Sequence, residues 1–157
     1  MVSGLVARSL VVAETDQTPA RFGFLESMRA YSLEMLEGAA ETAAMRRRHA
    51  EYFRDRFDEA ANDWLRLGDS DWRACYVADI DNVRAALDWS LGVGGDPSIA
   101  VALAGATGPL WTKLSLYGEG FRRLNAAVAR LRPGMRSVFD TERNPECVLS
   151  ETAHSTE

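Results

Sequence analysis

The sequence has few cysteines, a single lysine and no long apolar run. Cys75 and Cys147 stand 72 residues apart, which is not the pattern of a disulfide framework. The longest apolar stretches, such as residues 99–106, fall well short of the roughly 20 residues that span a bilayer. Residues 1–12 carry a central arginine and no small-residue cleavage site, so they lack the pattern of an export signal. These absences predict a cytoplasmic chain that does not enter a membrane.

Positive charge is also scarce, because 18 basic residues stand against 23 acidic ones and leave a net charge of −5. Broad, charge-driven attraction to nucleic acid or to an anionic membrane is therefore not expected. Of the basic residues 17 are arginine, a bias that indicates a GC-rich bacterial genome. The 157 residues are 46% hydrophobic, which is enough for a globular domain with a core.

Two short β-prone segments stand near the N-terminus. Residues 10–13 and 21–25 are rich in β-branched and aromatic side chains, and a polar loop with a proline separates them, which predicts a β-hairpin. An isolated hairpin is marginally stable in water, so Phe22 and Phe24 are expected to pack on a helix. The apolar spacing in residues 26–37 predicts that helix directly after the hairpin.

Helical periodicity dominates the rest of the chain. Apolar residues recur every three or four positions, and glycine-containing turns separate the runs. Asp96 and Pro97 have the pattern of an N-cap and a first helical residue, and the glycines and proline of residues 105–109 predict a kink. The predicted helices cover about residues 40–67, 72–91, 97–114 and 119–131. Residues 133–157, rich in Ser, Thr and Glu, are predicted to form a disordered tail.

Three motifs resemble functional sites and have simpler structural explanations. The segment from Gly105 to Lys113 is not a phosphate loop, because the lysine must directly follow the second glycine and here four residues intervene. The arginines 46–48, together with Arg54 and Arg56 on the same helix, have many acidic neighbours, so they predict a solvated, salt-bridged face rather than a nucleic-acid surface. His49 lies on an apolar stripe one turn from Phe53 and is expected to be packed with a local hydrogen bond, since the sequence supplies no second metal ligand.

The remaining candidates also lack the partners that catalysis needs. Cys75 has no histidine nearby in sequence and His154 lies in the predicted tail, so nucleophilic catalysis is not expected. Asp79 and Asp81 diverge on a helix and are expected to be solvated or to cap it. The four tryptophans are expected to fill the core and helix contacts, with a ligand cleft as the less favoured alternative. No catalytic, cofactor-binding or metal-binding residue is predicted, and the chain is not expected to be an enzyme.

Residues 5–36 and 49–131 resemble the region that follows the nucleotide-binding module in bacterial signal-transduction ATPases (STAND type, NB-ARC-like) of transcriptional regulators. The strings LVARSLVVAE and RFGFLESMRAYSLEML are similar to the last helix, wing hairpin and exit helix of their winged-helix subdomain. The strings RRRHAEYF and DIDNVRAALDWSL are similar to the start of their tetratricopeptide-like helical region. Relatives of this class commonly carry a phosphate-contacting histidine where this sequence has Leu25, so the resemblance implies weakened nucleotide sensing here.

The resemblance implies a mainly α fold, in which a small β-hairpin precedes antiparallel helical hairpins of tetratricopeptide-like type. Residues 1–37 would be a partial winged-helix segment, 38–132 a helical-repeat-like domain and 133–157 a disordered tail. The implied function is that of a non-catalytic fragment of a regulatory ATPase, whose helical sensor and protein-interaction region couples ligand or partner binding to the nucleotide switch. Its partner would be the ATPase module of the parent protein or another protein.

Two other functions can be weighed against this one. A free-standing helical module that binds a protein or peptide is the main alternative. A small winged-helix DNA-binding regulator is disfavoured, because only about nine residues precede the hairpin and a recognition helix with its preceding helix needs more. Sequence-specific DNA binding and tight ATP binding are therefore not expected.

Overall fold

The computed structural model describes residues 2–14 and 21–131, and the predicted disordered tail at 133–157 lies outside the described residues. The fold is mainly helical and includes one two-stranded antiparallel hairpin, as predicted. No helix in the described ranges is long and apolar enough to cross a membrane. In chain order the elements are α1 (Val2–Ala7), β1 (Val11–Glu14), β2 (Arg21–Phe24), α2 (Glu26–Gly38), α3 (Thr42–Asp63), α4 (Asp69–Tyr76), a 3₁₀ turn (Val77–Asp79), α5 (Ile80–Leu91), α6 (Pro97–Ala106), α7 (Gly108–Lys113) and α8 (Tyr117–Ala129).

The hairpin pairs Val11 with Phe24, and Val11 is the residue of β1 that becomes buried. Phe22 and Phe24 remain 56% and 54% exposed, so the prediction that they pack on the following helix is wrong. Helix α2 follows the hairpin as predicted, but it buries none of its own residues. The hairpin and α2 thus keep an apolar surface that no described element covers.

The core lies among α3, α5, α6 and α8, which pack against one another, with α4 and α7 closing its sides. Phe57, Leu87 and Leu103 are fully buried at its centre. Trp72 of α4 is also buried, and its indole Nε1 donates a hydrogen bond to the Ala60 carbonyl oxygen at 2.8 Å. A buried indole with its N–H satisfied adds apolar contact without an orphaned polar group.

The predicted helix over residues 72–91 is broken into α4 and α5 by the 3₁₀ turn. The apolar stripe itself is confirmed, since Trp72 and Tyr76 are buried on α4 and Val83 and Leu87 on α5. Both segments contact α3, and Asp79 of the turn between them is buried. The break therefore positions a charged side chain rather than ending the packed stripe.

The start of α6 and its junction with α7 follow the sequence prediction closely. Asp96 caps α6 by accepting a hydrogen bond from the Ser98 amide at 3.0 Å, and Pro97 occupies the first helical turn. The predicted kink separates α6 from α7 at Thr107, whose buried hydroxyl donates to the Leu103 carbonyl at 2.8 Å. The segment from residue 105 to 113 is thus a helix junction.

Helix α8 packs through small residues. A Cβ added at Gly120 would lie 2.6 Å from Trp111 Cγ, so only glycine allows this close approach, and Ala127 is fully buried. The larger apolar side chains of α8 point outward, and Phe121 is 65% exposed.

Candidate functional site

A buried ion cluster joins the hairpin to the helical core. Asp79 in the 3₁₀ turn is 5% exposed, and its carboxylate accepts two hydrogen bonds from arginines. Arg56 of α3 donates from Nε to Asp79 Oδ2 at 2.6 Å, and Arg21 of β2 donates from Nη2 to Asp79 Oδ1 at 2.8 Å. Three elements that are distant in sequence are therefore held by one side chain.

Both arginines are fixed further by backbone carbonyls. Arg21 Nη2 also donates to the Ala78 carbonyl oxygen at 2.8 Å, and Arg56 Nη2 donates to the Cys75 carbonyl oxygen at 2.8 Å. Their side chains are 28% and 22% exposed, so the cluster is shielded from water on most sides. Charge-assisted hydrogen bonds of this length in a shielded setting are stronger and more directional than surface ion pairs.

Tyr76 lines the same cluster. The Arg56 guanidinium lies 5.0 Å from the centre of the Tyr76 ring, a cation–π distance. The Tyr76 hydroxyl donates to Asp63 Oδ2 at 2.7 Å. Burial of the phenol and this hydrogen bond raise the pKa of Tyr76 to about 12, so the group stays neutral and fixes the end of α4 on α3.

The expectation that Asp79 is solvated or caps a helix is wrong. Asp79 stands at the N-cap position of α5, yet its side chain makes no capping hydrogen bond and points to the arginines. Asp81, two residues later, is exposed and pairs with Arg84 at 3.0 Å, as expected of a surface carboxylate. The only sequence signal for the cluster is that Arg56 stands beside Phe57, at the border of the apolar stripe of α3.

A second ion cluster holds α8 on α5. Arg84 donates from Nε and Nη2 to the two carboxylate oxygens of Glu119, at 2.9 and 2.7 Å. Arg123 donates to the same carboxylate at 3.0 Å and to Asp88 at 2.7 Å. The hydrogen bonds from Arg84 and then Arg123 lower the pKa of Glu119 to about 2. This arrangement is structural, since each charge already has a partner within the cluster.

A cavity of about 600 Å³ lies between α2, α3 and α5. Leu33, Leu36, Met45 and Trp89 contribute apolar walls, and the cavity is also lined by Arg29, Thr42, Arg46, His49, Ala85 and Asp88. We call this space the α2 cleft.

The predicted solvated, salt-bridged face is confirmed only in part. Arg56 is largely buried in the Asp79 cluster instead of being solvated. Arg47 pairs with Glu51 at 3.4 Å and with Asp96 at 3.0 Å. Arg46, by contrast, makes no ion pair within the described part of the chain, and it lines the α2 cleft. His49 packs on Phe53 with ring centres 4.8 Å apart and ring planes tilted by 52°, which confirms its predicted packing. The local hydrogen bond predicted for His49 is not found within the described residues.

The other sequence candidates fall into structural positions. Trp72 and Trp111 are buried in the core, which confirms their predicted role as filler, whereas Trp89 lines the α2 cleft. No group of three or more potential metal ligands occurs within residues 2–14 and 21–131. Cys147 and His154 lie outside the described residues.

Comparison with known proteins finds regulators as relatives. The chain is 35% identical over 126 residues to "Putative HTH-type transcriptional regulator Rv0890c" of Mycobacterium tuberculosis strain H37Rv and equally to "Putative HTH-type transcriptional regulator Mb0914c" of Mycobacterium bovis. Each alignment covers 78% of this chain and 14% of the relative, so the chain spans about one seventh of the length of these proteins. No family model matches the chain, and no solved structure matches it.

Proposed function

We propose that this chain serves transcriptional regulation as the non-catalytic helical region of a regulatory ATPase, together with the end of its winged-helix segment. The similarity to proteins named as transcriptional regulators supports the regulatory role. In this proposal the helical core senses a ligand or a partner protein, and the hairpin belongs to the part that responds. In this proposal the described residues supply neither a nucleotide site nor a catalytic residue.

The Asp79 cluster is the observation that carries the coupling part of the proposal. A change in the packing of α4 and α5 on α3 moves the 3₁₀ turn, and Asp79 then moves relative to Arg56. Arg21 follows, because it is bonded both to the carboxylate and to the carbonyl of Ala78 in the same turn. A shift in the helical core thus reaches the hairpin through two short, directional hydrogen bonds.

A chimera tests this function. The matching segment of the M. tuberculosis relative is replaced by this chain, and ATP affinity and turnover are measured with the native residue and with Asp79→Asn. If the junction couples the helical region to a nucleotide switch, the substitution changes ATP affinity or turnover about fivefold or more, the usual scale of allosteric coupling.

The matched control is Asp81→Asn, which removes an exposed carboxylate two residues away and leaves the cluster intact. It is expected to change neither ATP affinity nor turnover. Identical behaviour of the two chimeras argues against the coupling role, and a parent protein that neither binds nor hydrolyses ATP argues against the ATPase assignment.

A free-standing protein-interaction module is the second candidate, and the outer face of α8 favours it. Its apolar side chains are separated by four and then three positions, the spacing at which one helix packs against another. They are Tyr117, Phe121 and Leu124, and they are 62%, 65% and 41% exposed. Under this alternative the chain binds another protein through α8. Replacing Phe121 by Ser then abolishes complex formation, whereas Asp79→Asn leaves it unchanged.

A further inference from the structure

The α2 cleft has the dimensions and walls of a small-molecule site. Its volume of about 600 Å³ lies within the range of pockets that hold drug-sized ligands. The apolar walls come from both sides, with Leu33 and Leu36 on α2 facing Met45 on α3 and Trp89 on α5. These side chains offer contact to an aliphatic or aromatic body.

Among the described residues, the polar groups of the cleft include one arginine without an ion-pair partner, a second arginine with only a distant one, and an unpaired hydroxyl. Arg46 makes no ion pair within the described part of the chain. Arg29 lies 3.9 Å from its nearest acidic oxygen on Glu26, too far for a hydrogen bond. Asp88 also lines the cleft, but its carboxylate accepts a 2.7 Å hydrogen bond from Arg123. The net field in the cleft therefore favours an anion.

The hydroxyl of Thr42 is a second, independent observation that points to a ligand in the cleft. Its Oγ1 is buried on the wall of the cleft and has no hydrogen-bond partner among the described residues. Buried hydroxyl groups in native proteins are normally satisfied. A ligand acceptor in the cleft would satisfy this one after a rotation of the threonine side chain.

We propose that the α2 cleft binds a small amphipathic carboxylate. Its apolar body packs against the walls from α2, α3 and α5, and its carboxylate meets Arg46; Arg29 and Thr42 are two other polar residues of the lining that lack a close partner among the described residues. A polyphosphate fits less well, because the lining is largely apolar and offers two arginines without a cradle of backbone amides.

Ligand binding in the α2 cleft also has a regulatory role, and this part of the inference rests on the proposed function. Helix α2 buries none of its residues, and it continues directly from β2 after Leu25. A ligand that fills the cleft ties α2 to α3 and α5, and so orders the segment attached to the hairpin. Ligand binding then acts on the hairpin through the helix that follows β2, while Asp79 acts on it through Arg21 at the start of β2.

Calorimetry with octanoate as the probe tests binding on the full chain. We expect saturable binding of octanoate but not of acetate, which lacks the apolar body, or of octylammonium, which carries the opposite charge. Arg46→Gln is expected to weaken octanoate binding about tenfold or more, because a charge-assisted hydrogen bond is lost. Arg48→Gln is the matched control, since this exposed neighbour is not part of the lining.

A second variant keeps the site testable if Arg46→Gln does not fold. Leu33→Asn places a polar group on the apolar wall at a position that is 42% exposed, and it should weaken octanoate binding while the thermal midpoint stays within a few degrees. Binding that survives both Arg46→Gln and Leu33→Asn, equal binding of octylammonium, or no saturable binding of octanoate overturns the site.

Hydrogen exchange tests whether ligand binding orders α2, separately from whether the cleft binds a ligand. Bound octanoate is expected to slow the exchange of amides 29–38 in α2 about tenfold. Binding without this protection overturns the regulatory part. A failure to bind octanoate leaves the Asp79 chimera result untouched, so the two proposals fail independently.

Discussion

Asp79→Asn is the substitution whose effect can be worked out in most detail. It keeps the size of the side chain and removes the charge from a carboxylate that is 5% exposed and accepts hydrogen bonds of 2.6 and 2.8 Å from two arginines. Removing one partner of a buried ion pair costs about 3–5 kcal/mol, because the remaining charge is left uncompensated. Here two arginines would face each other across an amide.

Two features place the expected loss at or below the lower end of that range. Arg21 and Arg56 keep 28% and 22% of their side chains exposed, so water can relax part of the uncompensated charge. Each also keeps a backbone carbonyl acceptor, on Ala78 and Cys75. We expect Asp79→Asn to lower the free energy of unfolding by about 2–3 kcal/mol.

Urea denaturation followed by circular dichroism measures this loss. The control is Asp81→Asn, because the side chain of Asp81 is 88% exposed and its ion pair with Arg84 is a surface pair, for which about 0.5 kcal/mol or less is expected. In a double-mutant cycle, Arg56→Met should cost less in the Asp79→Asn background than in the native one. Equal losses at Asp79 and Asp81, or strict additivity in the cycle, would refute the buried cluster.

Three further predictions concern the helical core. Leu87→Ala should cost about 2–5 kcal/mol in urea unfolding, whereas Leu65→Ala, at a position that is 87% exposed, should cost under about 0.5 kcal/mol; similar values would contradict the core assignment. Gly120→Ala should cost about 1–3 kcal/mol because its methyl group would overlap an indole ring, while Gly105→Ala, with open space around its Cβ, should be neutral or stabilising, and the reverse order would contradict this packing. The lowered pKa of Glu119 makes a stabilising contribution that is complete above pH 4.5 and is lost as the pH falls to about 2, so Glu119→Gln should flatten this part of the pH profile, and an unchanged profile would contradict it.

The elements that sequence predicts well are those whose signals are local. The kink between α6 and α7 follows from Gly108 and Pro109, and the start of α6 follows from Asp96 and Pro97. The stripe of α3 appears where the 3.6-residue spacing indicates it, around Phe53 and Phe57. These features depend on residues within a few positions of one another.

The features that sequence misses depend on residues far apart in the chain. The break before α5 contains neither glycine nor proline, and it is stabilised by arginines 23 and 58 positions away from Asp79. Helix α8 turns Gly120 and Ala127 inward because Trp111 needs the close approach, so its larger apolar side chains point outward. Periodicity alone shows that a helix has an apolar side and leaves open what that side contacts.

The coupling of the hairpin to the helical core is the central claim, and hydrogen exchange in the hairpin tests it most directly. The amides of residues 11–14 and 21–24 are followed in the native chain, in Arg21→Met, in Asp79→Asn and in the double variant, under conditions where all four remain folded. An isolated two-stranded hairpin is marginally stable in water, so its protection depends on its attachment.

We expect each single substitution to speed the exchange of these amides, while amides at the centre of α6 exchange at the native rate in Arg21→Met. The double variant should exchange little faster than Arg21→Met alone, because loss of the Arg21 guanidinium already breaks its bonds to both Asp79 and the Ala78 carbonyl. Hairpin amides that exchange at the native rate in both single variants would contradict the claim that Asp79 holds the hairpin on the helical core.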